Sequence, residues 1–102
     1  MAAEVLAAAG LAVTVYEHMP SVGRKLLLAG RSGLNITHNE PLDDLLARYG
    51  PGAGHLATAI RAFGPPALRS WCGSLGETTF VGSTGQVFPA SLRATPLLRA
   101  WL

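Results

Sequence analysis

The sequence predicts an α/β fold: the second half of a βαβ unit, then several short helices and a β-hairpin. Three stretches carry that prediction. "MAAEVLAAAG" (Met1 to Gly10) is rich in Ala, Leu and Glu, which are strong helix formers, and it ends on a glycine suited to the left-handed residue that closes a helix. "LAVTVYE" follows at once. Its β-branched, almost uninterrupted apolar residues, Leu11 to Tyr16, suit a strand covered on both faces, as parallel strands are. Much later, "TTFVGSTGQVFP" sets two β-prone runs, Thr78–Val81 and Gln86–Phe88, around a Gly-Ser-Thr-Gly connection, which is a hairpin pattern.

The remaining elements follow in order. "HMPSVGRK" is a loop broken by Pro20 and Gly23. "KLLLAG" suits one or two helical turns or a short strand, and its length does not decide between them. "RSGLNITHNEP" reads as a loop. "PLDDLLARYG" reads as a short helix with Pro41 near its start, Asp43 and Asp44 in its first turn and Arg48 near its end. "GHLATAIRAFG" and "PPALRSWCGSLG" read as two more helices, with Leu56, Ile60 and Phe63 on one face, and Leu68, Trp71, Cys72 and Leu75 on another. "TPLLRAWL" reads as a last helix, with Thr95 as N-cap and Pro96 in its first position. Two units result: residues 1–40, a partial βαβ segment, and residues 41–102, helices plus the hairpin.

Composition narrows the function. The chain has 102 residues, 49% hydrophobic and 14% charged, which is the balance of a small folded domain. Net charge is +2, and the eight Lys and Arg are spread from Arg24 to Arg99 without a basic block, so nucleic acid is not an expected partner. Cys72 is the only cysteine, which rules out an internal disulfide. The N-terminus lacks a basic n-region, and no run approaches the roughly 18 apolar residues of a membrane span. The expectation is a soluble cytoplasmic protein with no membrane partner.

A dinucleotide-binding βαβ unit runs strand, Gly-x-Gly-x-x-Gly, helix, with an acid about 20 residues on that holds the adenosine ribose. Here the helix begins at Met1, so the expected first strand and Gly-rich loop would precede it. Glu17 is the acid at the required place, although an acid ending a strand is also common without any ligand. His18, His38 and His55 lack metal-ligand spacing, so no metal is expected. Asn35-Ile36-Thr37 matches a glycosylation acceptor pattern with no secretory signal to support it. Cys72 beside Trp71 on an apolar helix face reads as a packing residue.

"VYEHMPSVGRKLLLAGRSGLNITHNEPL" (Val15 to Leu42), "LRSWCGSLGETTFVGSTGQVFP" (Leu68 to Pro89) and "TPLLRAWL" (Thr95 to Leu102) together resemble the FAD-dependent, aminoacetone-oxidase-type (BaiN-like) flavoproteins, NAD(P)/FAD-dependent oxidoreductases. The resemblance covers nearly the whole chain and is closest to a subgroup with "GRK-LLAGRGGLN-TH-EPL". It implies a partial Rossmann-type FAD-binding domain without the first strand and Gly-rich loop, an N-terminal fragment leading toward a substrate domain beyond Leu102. It implies FAD as cofactor, NAD(P)H as electron donor and a small-molecule substrate. Glu17 would bind the adenosine ribose. Lys25 and the turn Gly30-Arg31-Ser32-Gly33 would lie along the flavin side, with Leu34, Asn35 and Thr37 near the isoalloxazine or ribityl chain. Glycines would let backbone N–H groups approach, Lys25 or Arg31 would neutralise pyrophosphate, and Asn35 would serve the ring's polar edge. No catalytic residue is implied. Gly85 to Pro89 match a segment toward the flavin and substrate side.

Two departures matter. Ser32 stands where the subgroup has Gly, and Leu34 where the wider family has Cys, so no thiol-based redox step is expected. Plainer readings stand beside these. Arg24 and Lys25 suit solvated loop charges, Gly30 and Gly33 a tight turn, and Asn35 a turn cap. A non-enzymatic helical interaction module, with Leu56, Ile60, Phe63, Leu68 and Trp71 as its face, is the rival function. On the flavoprotein reading, the chain alone is expected to bind FAD weakly or not at all and to be inactive.

Overall fold

A computed structural model describes all of residues 1–102. Six helices and three strands occur in the order α1 (Ala2–Ala8), α2 (Arg24–Ala29), a 3-10 turn (Gly30–Ser32), β1 (Thr37–His38), α3 (Leu42–Ala47), a second 3-10 turn (Gly50–Gly52), α4 (Ala53–Ala62), α5 (Pro65–Ser74), β2 (Thr79–Val81), β3 (Gln86–Pro89) and α6 (Ala94–Trp101). The expected mixed α/β class is present. No helix is long and apolar enough to cross a membrane.

Helix α1 ends as its sequence predicts. Gly10 takes φ +80°, its N–H donates to the Ala7 carbonyl, and the Leu11 N–H donates to the Leu6 carbonyl, so the last turn's carbonyls are satisfied. The segment after it does not follow the prediction. Leu11 to Tyr16 forms no strand, every residue in it is exposed, and Tyr16 is 93% exposed. Its β-prone side chains favour an extended backbone, but a strand also needs a neighbour to take its N–H and C=O groups, and the sheet lies elsewhere.

That sheet is antiparallel, in the order β1-β3-β2. The hairpin is close to prediction, with Phe80 opposite Phe88 and their rings stacked at 5.7 Å. Val87 and Pro89 of β3 are fully buried. β1 corrects the loop expected there: Thr37 and His38 pair with Val87 and Gln86, whose register is set some fifty residues later in the chain and is invisible locally.

The core gathers Leu34, Cys72, Ala94 and Leu97, with Leu26, Leu27, Ile36, Trp71 and Leu75 packed against it. Cys72 is a buried packing residue, as expected. Leu56 and Phe63, assigned to an apolar face of α4, are 40% and 39% exposed. Helix α6 starts earlier than predicted. Arg93 is its N-cap in extended conformation, with no side-chain cap bond, and Thr95 lies inside the first turn. Pro96 still fits there, because first-turn N–H groups have no intrahelical acceptor.

Candidate functional site

Of the residues marked by sequence, Lys25 lies on α2, Gly30, Arg31 and Ser32 on its 3-10 extension, Gly33, Leu34 and Asn35 in the turn that follows and Thr37 on β1, while Glu17 lies outside this group. Gly23, in the left-handed region at φ +68°, caps the start of α2. A Cβ there would meet the Leu98 side chain of α6 at 2.6 Å. Gly30 approaches α6 as closely, since an added Cβ would sit 2.6 Å from the Ala94 Cβ. The chain then turns at Gly33, whose φ of +116° and ψ of +121° favour glycine. These positions dock α2 on α6 and turn its outer surface toward solvent.

That outer surface is basic. Lys25 and Arg31 are exposed, as is Arg24, and none of the three pairs with an acid. Arg24 and Arg31 line a shallow pocket of about 210 Å³ together with Ser21, Leu27 and Leu28. Arg24, which by sequence reads only as a solvated loop charge, thus shares a pocket with Arg31; its spacing of seven residues, two helical turns, was the available signal. Ser32 and Asn35 are also exposed, and the Asn35 N–H donates back to the Gly33 carbonyl at 3.1 Å.

Leu34 lies apart from these. Its side chain is 3% exposed in the core, and its N–H donates to the carbonyl of Leu92, a residue held at φ +57°. Neither group is free to meet a flavin ring. Leu34 anchors the turn to the core. Thr37 is half-buried in β1. Glu17 is exposed on the extended segment, where its Oε1 accepts the Met19 N–H at 2.9 Å. It makes no hydrogen bond or ion pair with the α2 group.

Beside β1, the His38 Nε2 donates to the Thr84 carbonyl at 2.9 Å, joining β1 to the hairpin turn. The Glu40 carboxylate takes Arg48 through Nε and a terminal nitrogen, each at 2.9 Å, and lies 3.5 Å from the His38 Nδ1. Glu40's hydrogen bond and charge hold the Arg48 guanidinium more firmly protonated than usual. This cluster braces β1 against α3. No group of three His, Cys, Asp or Glu side chains is placed to hold a metal ion.

A basic, acid-free surface beside a glycine-dependent turn fits the anionic part of a nucleotide cofactor. The comparison with known families agrees in kind. The family model described as "HI0933-like protein Rossmann domain" matches the chain over residues 1–102. No curated protein matches it.

Proposed function

The chain belongs to the HI0933-like protein Rossmann-domain family, a family of FAD-binding flavoproteins, and from that premise we propose that it supplies the flavin-nucleotide surface of an oxidoreductase of the aminoacetone-oxidase (BaiN-like) type. One observation carries the reading: Arg24, Lys25 and Arg31 are exposed on a single helix and its extension, and none has an acidic partner. Arg24 and Arg31 line one pocket, and cations without counter-ions suit a diphosphate.

In this reading Lys25 and Arg31, with Arg24, bind the FAD pyrophosphate. Gly30 seats this turn against Ala94 of α6 and Gly33 supplies its backbone angle, so both shape the surface that the cofactor meets. Ser32, Asn35 and Thr37 offer hydrogen bonds to the ribityl chain or the ring's polar edge, and Glu17 accepts from the adenosine ribose. Leu34 contributes only by pinning the turn to the core. Bound FAD supplies hydride chemistry, with NAD(P)H as donor and a small molecule as substrate, while the protein binds and orients. The setting is cytoplasmic, and neither nucleic acid nor a membrane is a partner.

Titrating the chain with FAD, followed by flavin fluorescence, tests this. The expected result is weak, saturable, salt-sensitive binding that the double variant K25Q/R31Q weakens about tenfold or more. Equal binding by the double variant would remove the role given to these cations, and a tight, salt-insensitive yellow complex would contradict a surface-charge mode of binding.

A further inference from the structure

We propose a second ligand site, in the cleft between α5 and β2, that takes a phosphate group carried by a small molecule. The cleft is shallow and widely open to solvent, with a volume of about 480 Å³, and is lined by Pro66, Arg69, Ser70, Gly73, Thr78 and Thr79. No residue between 17 and 37 lines it, so it is separate from the flavin surface and does not rest on that reading.

Arg69 is the centre of the argument. It is half-buried, and its Nε donates to the Thr79 Oγ1 at 2.9 Å, which sets the plane of the guanidinium. None of the protein's ion pairs includes it. Arg48 and Arg61 are more exposed, yet they pair with Glu40 and Asp43. A cation partly withdrawn from water without a counter-ion bears a desolvation cost that a bound anion offsets. The nearest acid in sequence, Glu77, does not line the cleft, and its Oε1 accepts the Ser91 N–H instead.

The other donors are of the right type. The hydroxyls of Ser70 and Thr78 have no hydrogen-bond partner within the protein and line the same cleft. β2 is an edge strand. The Ala90 N–H donates to the Thr78 carbonyl and the Gly82 N–H to the Gln86 carbonyl, so alternation turns the Thr79 N–H away from β3, toward the open edge. Gly73 leaves room, since a Cβ there would meet nothing within 4 Å. A guanidinium fork, hydroxyls from two elements and a free backbone N–H can surround a tetrahedral oxyanion, whereas a planar carboxylate would use the fork alone.

The probe is inorganic phosphate, titrated into the whole chain and followed by backbone-amide NMR shifts. The expected result is saturable binding with shifts centred on Ser70, Thr78 and Thr79. Arg69→Gln should weaken it about tenfold or more, and Arg69→Lys by less, because the charge remains and the fork is lost. Arg69→Gln also breaks the bond to Thr79, so Ser70→Ala and Thr78→Ala serve as variants outside that contact; each should weaken binding severalfold with an unchanged circular dichroism spectrum. K25Q/R31Q should leave these shifts unaltered, which keeps a failure here distinct from a failure of the flavin reading. No saturation, shifts centred on Arg24 to Arg31, or acetate binding as tightly as phosphate would each overturn the proposal.

Discussion

Cys72 has no exposed surface and sits among Leu34, Ala94 and Leu97. Burial first, and the charge of Glu77 second, push its thiol above the ordinary value of 9.0. Two consequences follow. Reaction with a disulfide reagent near pH 8 should be at least about tenfold slower in the folded chain than in denaturant, because the thiolate is the reactive form. The folded state also keeps the proton that the unfolded chain loses more readily, so this contribution to stability is complete below about pH 9 and declines as pH rises through the raised folded value. Thermal melts at pH 8 and at pH 10 should therefore separate more for the wild type than for Cys72→Ala; equal separations would mean that Cys72 does not titrate with unfolding. At this scale the sequence was partly legible. The apolar helix face announced Cys72, whereas Gly30 and Gly33, three residues apart in one motif, serve different ends. Gly33 is needed for its backbone angle, and Gly30 for the nearness of Ala94, a residue over sixty positions away.

Elements are joined by contacts that no local pattern announces. The Glu4 carboxylate of α1 accepts the indole N–H of Trp71 on α5 and of Trp101 on α6, each at 3.0 Å, while the two indoles meet edge to face at 5.2 Å. In the sequence Glu4 is one acid in an alanine-rich helix. None of the seven α1 residues is buried, so these bonds are a principal tie between α1 and the body. Glu4→Ala should cost about 1 kcal/mol, the low end for bonds to a charged acceptor because the carboxylate is part-exposed. It should also alter the near-ultraviolet dichroism of the Trp pair, and an unchanged spectrum and melt would show that α1 is held by its apolar contacts. The same distinction between local and distant causes explains which elements were legible. Helices α1, α3, α4 and α5 and the hairpin form from nearby residues and were readable from propensity and turn chemistry, whereas α2 was too short for its sequence to decide between helix and strand. β1 depends on β3. The predicted strand at Leu11 to Tyr16 had the right side chains and found no partner. The basic surface on α2 was legible as residue types, but the unpaired state of its cations required the positions of all the acids.

The whole molecule shows the effect of that unpartnered segment. A folded chain of this mass exposes about 5,500 Å² and has a radius of gyration near 13 Å; this one exposes 7091 Å² with a radius of 14.9 Å. Part of the excess lies where the apolar run "LAVTVY" finds no cover: Leu11, Val15 and Tyr16 are 57%, 70% and 93% exposed. The buried residues all lie between Leu34 and Leu98, so the core does not depend on this stretch. The amides of residues 12–16 should then exchange with solvent at close to unstructured rates, with protection below about tenfold, while those around Leu34, Cys72 and Val87 should be the slowest. Chymotrypsin should cut first after Tyr16. An apolar, uncharged, proline-free extended segment with both edges open is also a template for pairing, which makes concentration the deciding variable. Fast exchange at every concentration identifies Leu11 to Tyr16 as solvated chain. Alternate protection of Val13 and Val15 that grows with concentration identifies it as a strand whose partner is a second copy. Protection at high dilution contradicts the arrangement described, because it requires a strand partner within the same chain.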